Sequence, residues 1–215
     1  MNQSFRGESS DKPFFDHVLQ AIDSVHRVAG ITQVPCDRMP LPKTWQGQFD
    51  PYTRTVTVSP DALLPLTTGV HEIGHAIDAL FLVTASQLGR LDGPITLYAS
   101  EYAVQGKGLL VDWFVKAKQS RPIQEISQMA LGAPLMSVDW YEATYWLDPK
   151  EVWARAYEQF IAELTNDSEL KAQFQQKRRD ELEIGTRKTR VYWSEGEFEP
   201  IAQEIKRLLQ MLRWM

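Results

Sequence analysis

The segment His71-Glu72-Ile73-Gly74-His75 constrains this 215-residue chain more than any other. Residues 67–87 are helical in pattern, and helix positions four apart differ by roughly 40° about the axis. Both imidazoles therefore leave one face and can hold one metal ion together. Glu72 is rotated off that axis but stays adjacent, which suits a base acting on metal-bound water and not a ligand. Zn2+ is the expected ion, because it takes imidazole nitrogen and lowers the pKa of its water to near ~7. Ile73, Ile77, Leu80 and Phe81 supply the apolar positions that seat such a helix in a core. That setting counts against two surface histidines beside an incidental glutamate.

A hydrolytic zinc site needs a third protein ligand and one open position. The chain has four histidines, and His17 and His26 fall in the first predicted helix with no partner at metal spacing. The single Cys36 excludes both a cysteine-rich knuckle and an intrachain disulfide. A carboxylate is therefore expected. Pro149 opens a helix in which Glu151 lies in the first turn, and Glu158 follows seven residues on, nearly on the same face. Spacing leaves both open. Arg155, four residues after Glu151, is expected to pair with a carboxylate on that face. Asp78, three residues past His75, is expected to orient a ligand imidazole through its other nitrogen.

The rest of the chain sets limits. A formal net charge of -5 argues against nucleic acid or an anionic membrane as partner. The basic run Lys177-Arg178-Arg179 is followed at once by Asp180, Glu181 and Glu183, and reads as a solvated helix face. Residues 1–11 lack the apolar core of a signal peptide, and no stretch reaches the roughly 18 apolar residues of a membrane span. A cytoplasmic protein is expected, with delivery into another cell by a secretion system left open; its oligomeric state is not legible.

One domain over residues 1–215 is expected: an N-terminal helix in 1–30, a catalytic core in 45–165 and a C-terminal helical extension in 166–215. The first helix spans 13–29, capped by Asp11. The β-branched alternation in 54–59 predicts a strand, fed by a turn at Asp50-Pro51. Residues 31–41 read as loop, 89–94 as a break, 95–118 as helical, and 120–139 as short helices and loops. Helices are expected at 150–164, 168–182 and 200–213, with a short strand at 190–193. The fold class is α+β and mainly helical, with a small twisted sheet packed on the metal helix.

Two segments resemble a known family. His71-Glu72-Ile73-Gly74-His75-Ala76-Ile77-Asp78 is similar to the HExGHAxD helix of lethal-factor-like metallopeptidases, which are gluzincins. Glu151-Val152-Trp153-Ala154-Arg155-Ala156-Tyr157 resembles the later segment that gives those enzymes their third ligand. Pro149 and Arg155 also resemble zincin domains in large polyvalent proteins of phages and conjugative elements. The likeness covers residues 53–80 and 141–161, under half of the chain. It implies a zincin fold, a protein or peptide substrate, and Glu151 as the ligand in preference to Glu158. It also implies a tyrosine oxyanion donor seven residues before the ligand. Thr144 stands there, so the neighbouring Tyr145 is expected to serve, against an ordinary aromatic packed among Trp140, Tyr141 and Trp146. In such folds an edge strand above the metal helix holds the extended substrate, a use the likeness gives to residues 54–58. A non-catalytic zincin-fold binding module is the alternative, although it has no need of Glu72. A zinc hydrolase acting on a non-peptide bond is the third possibility.

Overall fold

The computed structural model describes residues 12–86, 98–179, 181–184 and 186–215. The Asp11 cap and the break at 89–94 lie outside the described residues. Within them the fold is α+β and mainly helical.

Two crossing helices form the centre. Helix α2 (Pro65–Ala76) carries both histidines and buries Leu66, Val70 and Ile73. It runs on through a π-helical turn, Ile77–Leu82, into α3 (Val83–Ala85). The other central helix, α8 (Pro149–Leu164), is buried along its whole length from Glu151 to Ala162. Asp148 caps it by accepting from the Lys150 amide at 3.2 Å, and Pro149 needs no amide partner in the first turn. The two helices meet at Gly74. A Cβ there would stand 3.0 Å from Tyr157 Cδ1 and 3.3 Å from the Ala154 Cα. Trp153 Nε1 donates to the Gly74 carbonyl at 3.0 Å across the same contact. Gly74→Ala is therefore expected to force the helices apart and cost about 1–3 kcal/mol. Thermal unfolding of the metal-free protein checks this, and an unchanged midpoint would show that the contact relaxes freely.

A three-stranded sheet covers α2. Strand β1 (Cys36–Arg38) pairs parallel with β3 (Thr55–Val58), and β2 (Gly47–Asp50) pairs antiparallel with β3. Val56 and Val58 are fully buried, which is what the β-branched alternation requires. The order β1-β3-β2 makes β3 central, so residues 54–58 are not the edge strand that the likeness implies, and β1 and β2 are the edges. The Asp50 carboxylate accepts the Tyr52 and Thr53 amides at 2.8 and 3.3 Å, turning the chain so that 47–50 folds back along 55–58.

Helix α1 (Lys12–Asp23) stops earlier than expected. The chain turns there and places His26 Nε2 2.8 Å from the Tyr157 hydroxyl. Helices α4 (Ala99–Val104), α5 (Val111–Gln119), α6 (Arg121–Gly132) and α7 (Val138–Leu147) follow. Helix α9 (Ser168–Lys177) is shorter than the expected 168–182, because Glu181–Ile184 forms β4. Leu182 and Ile184 point inward and the two glutamates outward, a strand period in place of a helical one. Its partner β5 (Arg187–Arg190) shares only Arg190 with the strand expected at 190–193. Helix α10 (Glu195–Met211) begins ahead of Pro200, where Ser194 and Glu197 form a capping box. Its stripe of Ile201, Ile205, Leu208 and Leu209 is core packing, buried against α5 and α8. Helix α9 packs on both α2 and α8. No helix among the described residues is long and apolar enough to cross a membrane.

Candidate metal centre

The contact at Gly74 sets α8 beside the histidines. His71 Nε2 lies 3.4 Å from Glu151 Oε2, and His75 Nε2 lies 3.5 Å from Glu151 Oε1. One ligand atom from each of the three residues falls within 4.8 Å of the others. The two imidazole rings meet edge to face with centroids 4.9 Å apart, and both Nε2 atoms face the Glu151 carboxylate. This cluster can hold a metal ion. Glu158 meets His71 on the opposite edge of the ring, with Oε2 3.2 Å from Nδ1. One ion cannot sit on both edges of an imidazole, which separates the two candidate glutamates geometrically.

The electrostatics fit a cation. Burial disfavours a charged His71, yet the Glu151 and Glu158 carboxylates outweigh it and push the imidazole up to about 9. Burial would likewise raise the Glu151 carboxyl, but His71 and His75 hold it well below the usual carboxylate range. For Glu158 too, burial is outweighed by Lys177 and His71, which hold its carboxyl below the ordinary value. Three glutamates, at 72, 151 and 158, stand buried around two histidines. Such a cluster favours positive charge, and a metal ion at the point where the ligand atoms converge would supply it.

Glu72 is buried but lines the cleft above the cluster, outside the ligand set. Burial pushes its carboxyl up, against the pull of both histidines. Strand β2 passes directly over it: a Cβ at Gly47 would lie 2.8 Å from Glu72 Oε1 and 2.6 Å from Thr68 Cγ2. Tyr145 reaches the site from α7 and donates to Glu151 Oε2 at 3.0 Å. Half exposed, it is no ordinary buried aromatic. The cleft measures about 1170 Å³ and is walled by Trp45, Phe49 and Leu63 on the β2 side and by Tyr98, Tyr145 and Trp146 on the other.

Two expected side-chain contacts are not formed. Asp78 is fully buried, and its carboxylate accepts the Ser100 amide at 2.9 Å and the Ser100 hydroxyl at 2.5 Å. His75 Nδ1 has no hydrogen-bond partner among the described residues. The π turn beginning at Ile77 changes the winding that the three-residue spacing assumes, and Asp78 joins α4 instead. Among the described residues Arg155 pairs with no carboxylate side chain either. It is fully buried and donates to three backbone carbonyls, those of Glu151, Trp146 and Val191. Its guanidinium also lies over the Trp146 and Trp193 rings, at 5.0 and 5.7 Å. It thus ties the end of α7 and the segment after β5 to α8.

Lys177 and Tyr192, which were not among the expected site residues, also join the cluster. Lys177 is not a solvated charge: its Nζ lies 3.0 Å from the Glu158 carboxylate, and Tyr192 Oη donates to the same carboxylate at 2.8 Å. Arg178 turns inward as well, donating to the Trp193 carbonyl at 3.0 Å. The signal that could have placed Lys177 is helical spacing, since it follows the buried Leu170 and Phe174 on one face. Tyr192, between Val191 and Trp193, carries no such signal.

The family model described as large polyvalent protein-associated domain 1 matches residues 140–214. The match bears out the likeness to polyvalent proteins seen at Pro149 and Arg155. It contains Tyr145, Glu151, Arg155, Glu158, Lys177 and Tyr192 but not the helix of His71 and His75. No curated protein and no solved structure matches the chain.

Proposed function

We propose that this chain is a zinc-dependent endopeptidase of the gluzincin type, built on a zincin fold. The observation that carries the proposal is the convergence of His71, His75 and Glu151, with Glu72 beside them at the floor of a large cleft. Two imidazoles and one carboxylate are the donor set of catalytic zinc sites that keep a fourth position open. Zinc bound there supplies acidity to a water molecule and polarises a carbonyl oxygen. Glu72 takes the proton of the attacking water and delivers it to the leaving amine. Tyr145 Oη, now on Glu151, is within reach of the site and donates to the developing oxyanion.

The cleft favours a protein or peptide substrate. Its volume of about 1170 Å³ is above the roughly 300–1,000 Å³ of small-molecule pockets. One wall is the open edge of β2, whose backbone can pair with an extended chain. Zinc-loaded protein added to a cell lysate is expected to create new protein N-termini that a chelated sample does not. No new termini from the zinc-loaded protein would overturn the peptidase proposal and leave a non-catalytic zincin-fold binding module.

The position of Gly47 yields a finer expectation. Gly47→Ala puts a methyl group 2.6 Å from Thr68 Cγ2 and 2.8 Å from Glu72 Oε1, too close for both side chains to stay where they are, and we expect the base to shift. Zinc content should be unchanged while cleavage falls by about 100-fold, the scale set by a misplaced catalytic group. Full cleavage by this variant would show that Glu72 has room to spare.

A further inference from the structure

Helix α8 is buried on every side, yet it carries a polar stripe: Glu151, Arg155, Glu158 and Gln159, at helical spacing. The uses of three of these are plain. Glu151 meets the histidines, Arg155 binds backbone carbonyls, and Gln159 exchanges hydrogen bonds with the Trp193 backbone. Glu158 remains. It is fully buried, and a carboxylate taken out of water is retained only where donors surround it. The donors come from three separate elements: His71 Nδ1 from α2 at 3.2 Å, Lys177 Nζ from α9 at 3.0 Å, and Tyr192 Oη from the segment after β5 at 2.8 Å.

We propose that Glu158, held by Lys177 and Tyr192, is the positioning residue that fixes His71 for metal binding, so that the metal centre extends through α9 to residue 192. This rests on the metal-site reading above.

The argument is one of donors and acceptors. Lysine has only donors to offer and the tyrosine hydroxyl donates here, so Glu158 stands as an acceptor. His71 Nδ1, facing that acceptor, is the nitrogen that keeps its hydrogen, so when the ring gives up a proton to bind a metal the lone pair is left on Nε2. Nε2 is the nitrogen that converges with His75 and Glu151. Glu158 thus selects the ligating tautomer and fixes the plane of the ring. Among the described residues His75 Nδ1 meets no such acceptor, so the anchoring of the pair falls on His71. Helix α9 is itself registered on the metal helix. Gln173 Oε1 accepts the amides of Leu66 and Thr67 at the start of α2, at 2.9 and 3.4 Å. Four residues later Lys177 reaches Glu158. A displacement of α9 would therefore move both the start of the metal helix and the group that orients its first histidine.

The competing explanation is a buried ion pair that supports the fold alone. Metal affinity separates the two. Zinc dissociation constants, measured by competition with a chromophoric chelator, are compared for the wild type, Glu158→Gln, Lys177→Met, Tyr192→Phe and the Glu158→Gln/Lys177→Met double variant. The visible spectrum of the cobalt(II)-loaded forms reports the coordination geometry. Loss of the outer partner is expected to weaken zinc binding by about 10–100-fold in Glu158→Gln, with a smaller loss in the other two single variants. Because Lys177 acts through Glu158, the double variant should bind no more weakly than Glu158→Gln. Wild-type affinity in Glu158→Gln, or losses that add in the double variant, would overturn the proposal. If Glu158→Gln does not fold, Lys177→Met and Tyr192→Phe carry the test, and wild-type affinity in both overturns it. A wild type that binds no zinc overturns the metal centre itself and this inference with it; zinc bound by the wild type and equally by the variants overturns the inference alone.

Discussion

Glu151→Ala is expected to abolish tight zinc binding while leaving the metal-free protein folded. Its carboxylate is the only acidic side chain placed between the two imidazole Nε2 atoms among the described residues, at 3.4 and 3.5 Å. Without it two ligands remain, fewer than the three that a catalytic zinc site takes from its protein. The loss should exceed the about 100-fold upper end for outer partners, which ranks Glu151→Ala below Glu158→Gln in affinity. The fold has less at stake. Truncation removes a buried charge together with its desolvation cost, and Glu158, 3.2 Å from His71 Nδ1, stays in place to balance that imidazole. Helix α8 keeps its Asp148 cap and its contact at Gly74. Zinc content after dialysis, with the unfolding midpoint of the metal-free protein, checks both halves. Stoichiometric zinc retained by Glu151→Ala would remove Glu151 from the ligand set. Because Glu158 faces the other edge of His71, the metal centre would then need rebuilding around a rotated ring.

Glu72→Gln should do the opposite: keep zinc at wild-type affinity and lose cleavage by about 100- to 10,000-fold, the span of a positioned proton carrier. The substitution is close to isosteric, so the packing of Glu72 beneath Gly47 and beside Thr68 is preserved. What disappears is the group that accepts a proton. Kinetics on a peptide drawn from the new lysate termini would measure it, with zinc bound in both proteins. Cleavage at the wild-type rate would sink the role given to Glu72. Together the two variants split binding from chemistry. Glu151→Ala fails before the substrate arrives, and Glu72→Gln fails after.

The cleft is asymmetric in a way that bears on both results. Its base is built from α2 and α8, rigid elements locked at Gly74. Its rims face solvent: Trp45 and Tyr145 are about half exposed and Leu63 more so. Zinc affinity should therefore answer to substitutions at the base and along the Glu158 chain. Substrate preference should answer to the rims. This division agrees with Arg155, which reaches the cleft yet spends its donors on backbone carbonyls and so fixes the end of α7 below Tyr145.

What the sequence determined by itself was local. His71, Glu72 and His75 share a turn of helix, and the helical period alone puts the two imidazoles on one face with the glutamate beside them. Strand β3 and helix α8 were legible for the same reason, since β-branched alternation and the Asp148-Pro149 start are signals written within a few residues. Only the tertiary structure decided the rest. Glu151 and Glu158 lie on one helical stripe, and what separates them is which edge of the His71 ring each one meets across the helix crossing. Asp78 has the spacing of an imidazole partner but is taken by Ser100, a residue of another helix. Arg155 has the spacing of an ion pair, but the Glu151 carboxylate is turned to the histidines and the guanidinium finds carbonyls. Strand β2 became the cleft edge because of strand order, and Lys177 and Tyr192 reached Glu158 from elements distant along the chain. The physical reason is common to all of these. Periodicity fixes which way a side chain leaves its own backbone, but the partner it meets depends on how helices and strands pack, and no local pattern encodes that.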